Sequence, residues 1–425
     1  MRSFKHRLEL NNKQMTLSSK HAGTVRHAYN WGLELCNNAS KKRDKLPTAI
    51  DLHKLLVKDI KSVHTWYYDT SKCSPQQSLR NLSVGWKNYF FNLKKGEIKK
   101  KQSSYVKQCK KRGVDVNKDR LYNIGKPKFK KKGMSESFYL EGNIVVDGNR
   151  IKLPRFGWVN MSESYDESFS VKNVVVSRQA NHWFVSFKKE IANLKIKGID
   201  KKPNIGVDLG IKTLAFLSDG VVFESVKAFR RNKRRLKLAQ KKLSKKYIKG
   251  NKVQSNNYYK ARSDVAKIHY KISCIRKDSI HKLTTYLAKN HSRISIEDLN
   301  VSGMMKNRKL AGAIQDGGFF EFRRQLDYKT KWYGSELVVI DRFFPSSKKC
   351  SCCGNIKQDL KLKDRIYICE KCDMKIDRDL NAAINIKNFA VSSTVNACGE
   401  LYKPNGVRQT ELNETRSKQQ INTTV

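Results

Sequence analysis

The stretch Asn204-Ile-Gly-Val-Asp208-Leu-Gly210-Ile-Lys-Thr-Leu-Ala-Phe-Leu-Ser-Asp-Gly220 reads as the start of a buried sheet. Two apolar runs flank a tight turn, so the chain crosses a core, reverses and crosses again as a strand pair, with an acid, Asp208, ending the first run. Two more apolar strands follow, Arg293-Ile-Ser-Ile-Glu297 and Glu336-Leu-Val-Val-Ile-Asp341, and Asp377-Arg-Asp379-Leu-Asn-Ala-Ala-Ile-Asn-Ile386 reads as a capped helix. Asp208, Glu297 and Asp379 thus stand at element ends and could converge on one sheet edge. Converging like charges need cations to hold them, and a pair of Mg²⁺ ions bridged by Asp and Glu serves phosphodiester cleavage. Each acid also has a plainer reading: Asp208 as a turn former, Glu297 as half of a salt bridge with Asp298 solvated, Asp379 as a helix cap. Spacing alone leaves both readings open.

Of ten cysteines, five crowd between Cys350 and Cys372, while Cys36, Cys73, Cys109, Cys274 and Cys398 stand alone. Cys350-x2-Cys353 and Cys369-x2-Cys372, fifteen residues apart, have zinc-ribbon spacing, in which four thiolates close a tetrahedral shell with no open position. Such a metal is structural. Cys352 is a bystander, Gly354 supplies the left-handed residue after the first knuckle, and Asp373 stands at the matching place after the second.

Upstream, residues 1–10 alternate, with Phe4, Leu8 and Leu10 on one side, and read as a strand before Asn11-Asn12. Helical spacing follows in Leu17, His21, Thr24, Ala28, Trp31 and Leu35, and again in Leu79, Leu82, Trp86, Tyr89 and Phe90. Between about 136 and 190 the period becomes two, in Asn143-Ile-Val-Val, Arg150-Ile-Lys-Leu, Asn173-Val-Val-Val-Ser and His182-Trp-Phe-Val-Ser-Phe. This predicts a small antiparallel sheet or barrel. The orphan strand at 1–10 fits as its first member, separated from the others by an inserted helical block. Downstream, 257–290 reads as a long helix striped by Val265, Ile268, Ile272, Ile275, Ile280, Leu283 and Leu287.

Across 425 residues, 88 Lys and Arg face 38 acids, a net charge of +50. Self-repulsion on that scale is tolerated mainly when a polyanion neutralises it, so the expected partner is nucleic acid. Residues 94–132 hold sixteen Lys/Arg against three acids, and 227–249 hold twelve against none. With 39% hydrophobic residues the chain can build cores, which excludes a wholly disordered basic tail. Residues 391–425 are polar and patternless and read as disordered. No run approaches the roughly 18 apolar residues of a membrane span, and the N-terminus lacks a signal peptide, so we expect a soluble, cytoplasmic protein with no membrane partner.

Four ordered motifs carry a resemblance: Gly206-Val-Asp208-Leu-Gly-Ile-Lys, Ile294-Ser-Ile-Glu297-Asp-Leu-Asn-Val-Ser-Gly-Met304, Pro345-Ser-Ser-Lys-Lys-Cys350-Ser-Cys-Cys353-Gly, and Asp377-Arg-Asp379-Leu-Asn-Ala-Ala. They resemble the transposon-encoded TnpB proteins, RNA-guided relatives of the type V CRISPR effector nucleases. The likeness extends to Arg26-His-Ala-Tyr-Asn-Trp-Gly-Leu33, Lys126-Pro-Lys-Phe-Lys and Ile151-Lys-Leu-Pro-Arg-Phe-Gly-Trp158. It implies an α+β multidomain protein with an RNase H-like (RuvC) nuclease core at 198–346 and 376–390 and a zinc ribbon inserted at 347–375. It also implies a wedge β-barrel from 1–12 and 126–197, a helical recognition lobe at 13–125, and a tail at 391–425. Asp208, Glu297 and Asp379 become the three acidic motifs holding Mg²⁺, and Cys350, Cys353, Cys369 and Cys372 the zinc ligands. Asp379 is preferred to Asp377 because it directly precedes Leu-Asn-Ala-Ala. The implied activity is RNA-guided cleavage of double-stranded DNA beside a short flanking motif, with a transposon-derived guide RNA as partner. A catalytically silent guided binder and an unguided RuvC-like zinc-ribbon nuclease are the alternatives.

Overall fold

The computed structural model describes residues 2–134, 136–191, 196–251, 253–361 and 363–398. The described residues fall into two compact units, those within Met1–Ala192 and Ala239–Tyr270, and those within Asn193–Leu238 and Lys271–Val425.

In the first unit, β1 (Arg2–Glu9) is followed at once by α1 (Asn12–Lys42). The switch is made by Asn11, whose side chain accepts the Gln14 N–H at 2.9 Å while the Gln14 side chain accepts the Asn11 N–H at 3.2 Å, a reciprocal cap. Further helices are α2 (Ala49–Leu55), α3 (Cys73–Lys94), α4 (Glu97–Lys111) and α5 (Lys118–Tyr122). Ala28, Leu33 and Cys36 of α1 pack with Leu52, Leu56, Tyr67, Leu79, Leu82 and Trp86. Gly32 lets α1 and α3 approach, since a Cβ there would lie 2.8 Å from Leu79 Cδ2. Trp31 and Leu35 sit at the margin of this core and Phe90 is exposed, so the buried stripe differs from the one the spacing suggests. The reason is that α1 buries two faces, with Ala22 and Val25 packed into a different core.

That second core fills a closed six-stranded barrel, whose remaining strands are β2 (Ser137–Asp147), β3 (Arg150–Leu153), β4 (Gly157–Met161), β5 (Phe169–Gln179) and β6 (His182–Lys189). The order is β1-β4-β3-β2-β5-β6, with β1 antiparallel to β6 from Arg2↔Lys189 to Leu8↔Trp183 and to β4 at Leu8↔Met161. Leu140, Ile144, Val146, Ile151, Val159, Val174, Val176 and Val185 point inward. Residues 239–270 belong to this unit because Arg262 donates to the Gly133 carbonyl at 2.8 Å, Ser263 donates to Asn181 at 2.6 Å, and Tyr270 packs on His182 and Phe184.

The second unit is built on a mixed sheet. β7 (Ile205–Leu209), β8 (Thr213–Leu217) and β9 (Val222–Glu224) run antiparallel in succession. After α6 (Ala228–Lys245) and α7 (Asn256–Asn290), β10 (Arg293–Glu297) pairs parallel to β7. Then α8 (Val301–Met304), α9 (Ala311–Gly317) and α10 (Phe319–Tyr333) lead to β11 (Glu336–Ile340), parallel to β10, giving the order β11-β10-β7-β8-β9. Ile205, Val207, Leu214, Ile294 and Ile296 of the sheet pack with Leu283 and Leu287 of α7 and Phe322 and Leu326 of α10. A hairpin of β12 (Ile366–Ile368) and β13 (Lys375–Asp377) precedes α11 (Arg378–Cys398). The helix runs seven residues past Val391, so the tail expected as disordered from 391 is helical in its first part; residues 399–425 lie outside the described residues. Among the described residues no helix is long and apolar enough to cross a membrane.

Candidate functional site

All three acids line one cleft of about 990 Å³ in the second unit, together with Lys212, Arg230, Lys233, Ser346, Arg365 and Arg378. Asp208 comes from β7, Glu297 from the end of β10, and Asp379 from the first turn of α11. Neighbouring strands β7 and β10 set the first two side by side. The third arrives because α11 lies directly on β7: a Cβ on Gly206 would come within 2.1 Å of the Ala383 carbonyl oxygen and 2.6 Å of the Lys387 nitrogen. The glycine two residues before Asp208 therefore admits the helix that carries Asp379.

Burial first, then the charges of Glu297 and Asp379, push Asp208 up to about 7, against the opposing pull of Arg378. Glu297 is raised by burial, and Ser346, whose hydroxyl donates to Glu297 Oε1, works the other way. Asp379 is raised by burial and then by Asp377, with Arg365, Arg378 and Lys212 opposing. Arg365 sits 3.7 Å from Asp379. An oxygen-only set of carboxylates, each disfavoured as an anion by its surroundings, fits a hard divalent cation. The three do not form a closed cage: among the described residues, the four cysteines alone bring at least three His, Cys or carboxylate ligand atoms within 4.8 Å of one another.

Two of the plainer readings of the acids are corrected here. The salt bridge belongs to Asp298, which pairs with both Arg323 and Arg342, and not to Glu297. The cap of α11 is Asp377, whose Oδ1 accepts the N–H groups of Asp379 at 2.9 Å and Leu380 at 3.2 Å. Asp377 is thereby committed to backbone, and Asp379 is left to the cleft.

Ser346, Arg365, Lys212 and Asp316 also line the cleft, and none of them is among the site residues that the sequence predicts. Asp316, itself buried, accepts the N–H groups of Phe229 at 2.7 Å and Arg230 at 3.2 Å, starting α6 so that Arg230 and Lys233 reach the cleft. No local pattern announces that long-range cap. Ser346 had a signal in its place within Pro345-Ser-Ser-Lys-Lys-Cys350, just after β11, the strand whose last residue, Ile340, pairs with Glu297.

The cysteines meet as the spacing requires. Cys350 and Cys372 Sγ atoms are 3.7 Å apart, and those of Cys353 and Cys369 are 3.5 Å apart. The two knuckles are built alike, with Gly354 N–H donating to the Cys350 carbonyl at 3.0 Å and Asp373 N–H donating to that of Cys369 at 3.1 Å. Both following residues adopt left-handed backbone, Gly354 at φ 78° and Asp373 at φ 51°. Cys352 is exposed and outside the cluster. Four thiols in this arrangement suit a closed shell around a metal such as zinc.

Residues 176–308 match the OrfB_IS605 family described as "Probable transposase", residues 319–386 the "Cas12f1-like, TNB domain", and residues 1–45 the "Helix-turn-helix domain" of the OrfB_IS605 group. The last name does not describe the backbone, because residues 2–45 hold one strand and one long helix. The chain is similar to "Putative RNA-guided DNA endonuclease InsQ" of Escherichia coli K12, at 30% identity over 94% of each chain. It is also similar to "Putative RNA-guided DNA endonuclease" of Streptomyces pristinaespiralis, at 33% identity over 95% of this chain and 92% of that one. Among solved structures, the mini-RNA-guided endonuclease CRISPR-Cas_phi3 aligns over 92% of each chain with a TM-score of 0.46 and 11% identity. With a third of its residues identical to a relative along nearly the whole of both chains, this protein belongs to the transposon-encoded TnpB family, the OrfB group of IS605-type elements.

Proposed function

We propose that the chain is an RNA-guided DNA endonuclease that cleaves double-stranded DNA complementary to a transposon-derived guide RNA, beside a short flanking motif. The observation that carries the reading is the meeting of Asp208, Glu297 and Asp379 from three separate elements on one cationic cleft. The names of the two long relatives support it. The second unit is then an RNase H-like (RuvC) core, in keeping with its strand order, three antiparallel strands followed by two parallel ones on the side of the first. Residues 347–375 are its zinc ribbon, 1–12 with 126–197 the wedge barrel, and 13–125 the recognition lobe. We place the protein in the cytoplasm, on DNA.

Asp208, Glu297 and Asp379 would hold Mg²⁺, which when bound supplies Lewis-acid activation of phosphodiester hydrolysis. The chain's own part is placement. Ser346 fixes one oxygen of Glu297 and leaves the other for the cleft. Lys212, Arg230 and Lys233 give the phosphate backbone cationic partners at the cleft wall. Sequence is read by base pairing to the guide, and the protein holds the heteroduplex through its backbone.

The test is a guide exchange. RNA that co-purifies with the full chain is sequenced, its guide segment is replaced, and cleavage is scored on matched plasmids. Cleavage that moves to the new complement beside an unchanged flank is the expected result; cleavage that ignores the new guide or survives RNase treatment would favour an unguided nuclease.

A further inference from the structure

The element Asp379-Leu-Asn381-Ala-Ala-Ile-Asn385 carries two asparagines, four residues apart and therefore on one face of α11, with side chains 0% and 3% exposed. A buried carboxamide is costly unless its donors and acceptor are used. Asn381 Nδ2 donates to the Lys349 carbonyl at 2.8 Å, and its Oδ1 accepts the Ser351 N–H at 3.0 Å. Asn385 Nδ2 donates to the Ser346 carbonyl at 2.8 Å and to that of Lys349 at 2.6 Å. All four bonds end on residues 346–351.

That segment links two chemistries. At one end the Ser346 hydroxyl donates to Glu297 in the cleft. At the other, between Lys349 and Ser351, stands Cys350, the first cysteine of the metal cluster. Only Ser347 and Lys348 separate Ser346 from Lys349, and both flanking carbonyls are held by α11, the helix that carries Asp379 in its first turn.

We propose that Asn381 and Asn385 are positioning residues that couple the four-cysteine knuckle to the cleft: closing the knuckle on its metal fixes residues 346–351 against α11, and this sets Ser346 under Glu297. The inference rests on the reading of the cleft as a divalent-metal site and gives the Leu-Asn-Ala-Ala-Ile-Asn element a purpose beyond helix formation. A merely structural asparagine pair would support the fold without transmitting the state of the knuckle.

The test uses full-length protein in four forms, wild type, Asn385→Ala, Ser346→Ala and, as the hydroxyl-retaining control, Ser346→Thr. Zinc content is measured by metal analysis, Mn²⁺ binding by calorimetry, and amide exchange by mass spectrometry over the peptide containing Phe344 and Ser346. Stripping zinc from wild type should speed exchange in that peptide about tenfold and weaken Mn²⁺ binding. Asn385→Ala should retain one zinc per chain, exchange fast with or without zinc, and bind Mn²⁺ 10- to 100-fold more weakly, the range for outer-shell groups of metal sites. Ser346→Ala should lose Mn²⁺ affinity and Ser346→Thr should recover it. Zinc-loaded Asn385→Ala with wild-type exchange and Mn²⁺ affinity would overturn the coupling, as would wild-type exchange at 344–346 that ignores zinc removal. Should Asn385→Ala fail to fold, the wild-type zinc-removal arm and the Ser346 pair still decide. Failure of the wild type to bind Mn²⁺ at all would instead remove the metal-site reading on which the coupling rests.

Discussion

Asp377 and Asp379 stand two residues apart and do different work, one accepting backbone N–H groups and the other facing the cleft. Asp208→Ala, Glu297→Ala and Asp379→Ala should each abolish Mg²⁺-dependent cleavage in a plasmid assay while guide-RNA binding stays within about twofold, because under the proposed function a metal ligand and not a phosphate contact is lost. Asp377→Ala should keep cleavage and lose about 1 kcal/mol of stability, the usual cost of a cap; a dead Asp377→Ala beside an active Asp379→Ala would reverse the assignment. His21 offers a pH test far from the cleft. It is fully buried, its Nδ1 lies 2.9 Å from the Leu17 carbonyl, and its Nε2 accepts the Ser71 N–H at 3.0 Å, so the neutral ring is built in. Burial, opposed by the Leu17 hydrogen bond and joined by a smaller push from Arg155, lowers it from 6.5 to about 4. Between these values the unfolded chain binds a proton that the folded chain refuses, so stability rises with pH across pH 4 to 6.5 and is lost on acidification. Denaturant melts at pH 7 and pH 4.5 should show wild type losing ~2.5 kcal/mol more than His21→Phe, from ~1.4 kcal/mol per pH unit.

At the scale of elements, the contact between α11 and β7 is backbone to backbone at Gly206, and no side chain can yield there. Gly206→Ala should destabilise the second unit by ~1–3 kcal/mol and displace Asp379 from Asp208, read as a lower melting temperature together with lost cleavage. The knuckle hairpin has a small apolar core of Cys350, Tyr367 and Cys369, with Leu360, Met374 and Ile376 packed against it, and a core of that size gains much from a structural metal. Metal analysis should find one zinc per chain in wild type and in Cys352→Ser, and loss of zinc in Cys369→Ser; a chelator should speed amide exchange across 348–378 and leave the barrel strands protected. Sequence made some elements legible and others not, for physical reasons. The β7–β8 pair could be read because both strands are continuous apolar runs around a tight turn, and the knuckles because ligand spacing is nearly invariant under metal geometry. Strand β4 could not, since in Gly157-Trp-Val-Asn-Met161 only Val159 and Met161 point inward. The acids were legible one at a time, but their convergence depended on a helix packed on a glycine. Ser346, Asn381, Asn385 and Asp316 act through contacts between 30 and 90 residues apart, and no periodicity records those.

For the whole molecule, a net charge of +50 fixes behaviour in salt more than it fixes fold. Without RNA, the full chain should bind unrelated duplex DNA with an affinity that falls steeply and linearly in log–log form between 50 and 200 mM salt, as counterion release demands. Pre-bound RNA should shrink that slope, and equal slopes with and without RNA would show that the guide is not the counterion. The barrel carries a consequence of another kind. Its first strand, β1, pairs with β6 from Arg2↔Lys189 onward, across the α1–α5 helices and four intervening strands. At roughly 5–20 residues per second of synthesis, β1 leaves the ribosome about 10 to 40 s before its partner exists. Helix α1, capped by its own Asn11 and Gln14, needs no such partner and can form at once. For that interval β1 is an open edge, and the outward row of Ser3, Lys5, Arg7 and Glu9 keeps it from pairing with the same strand on a neighbouring nascent chain.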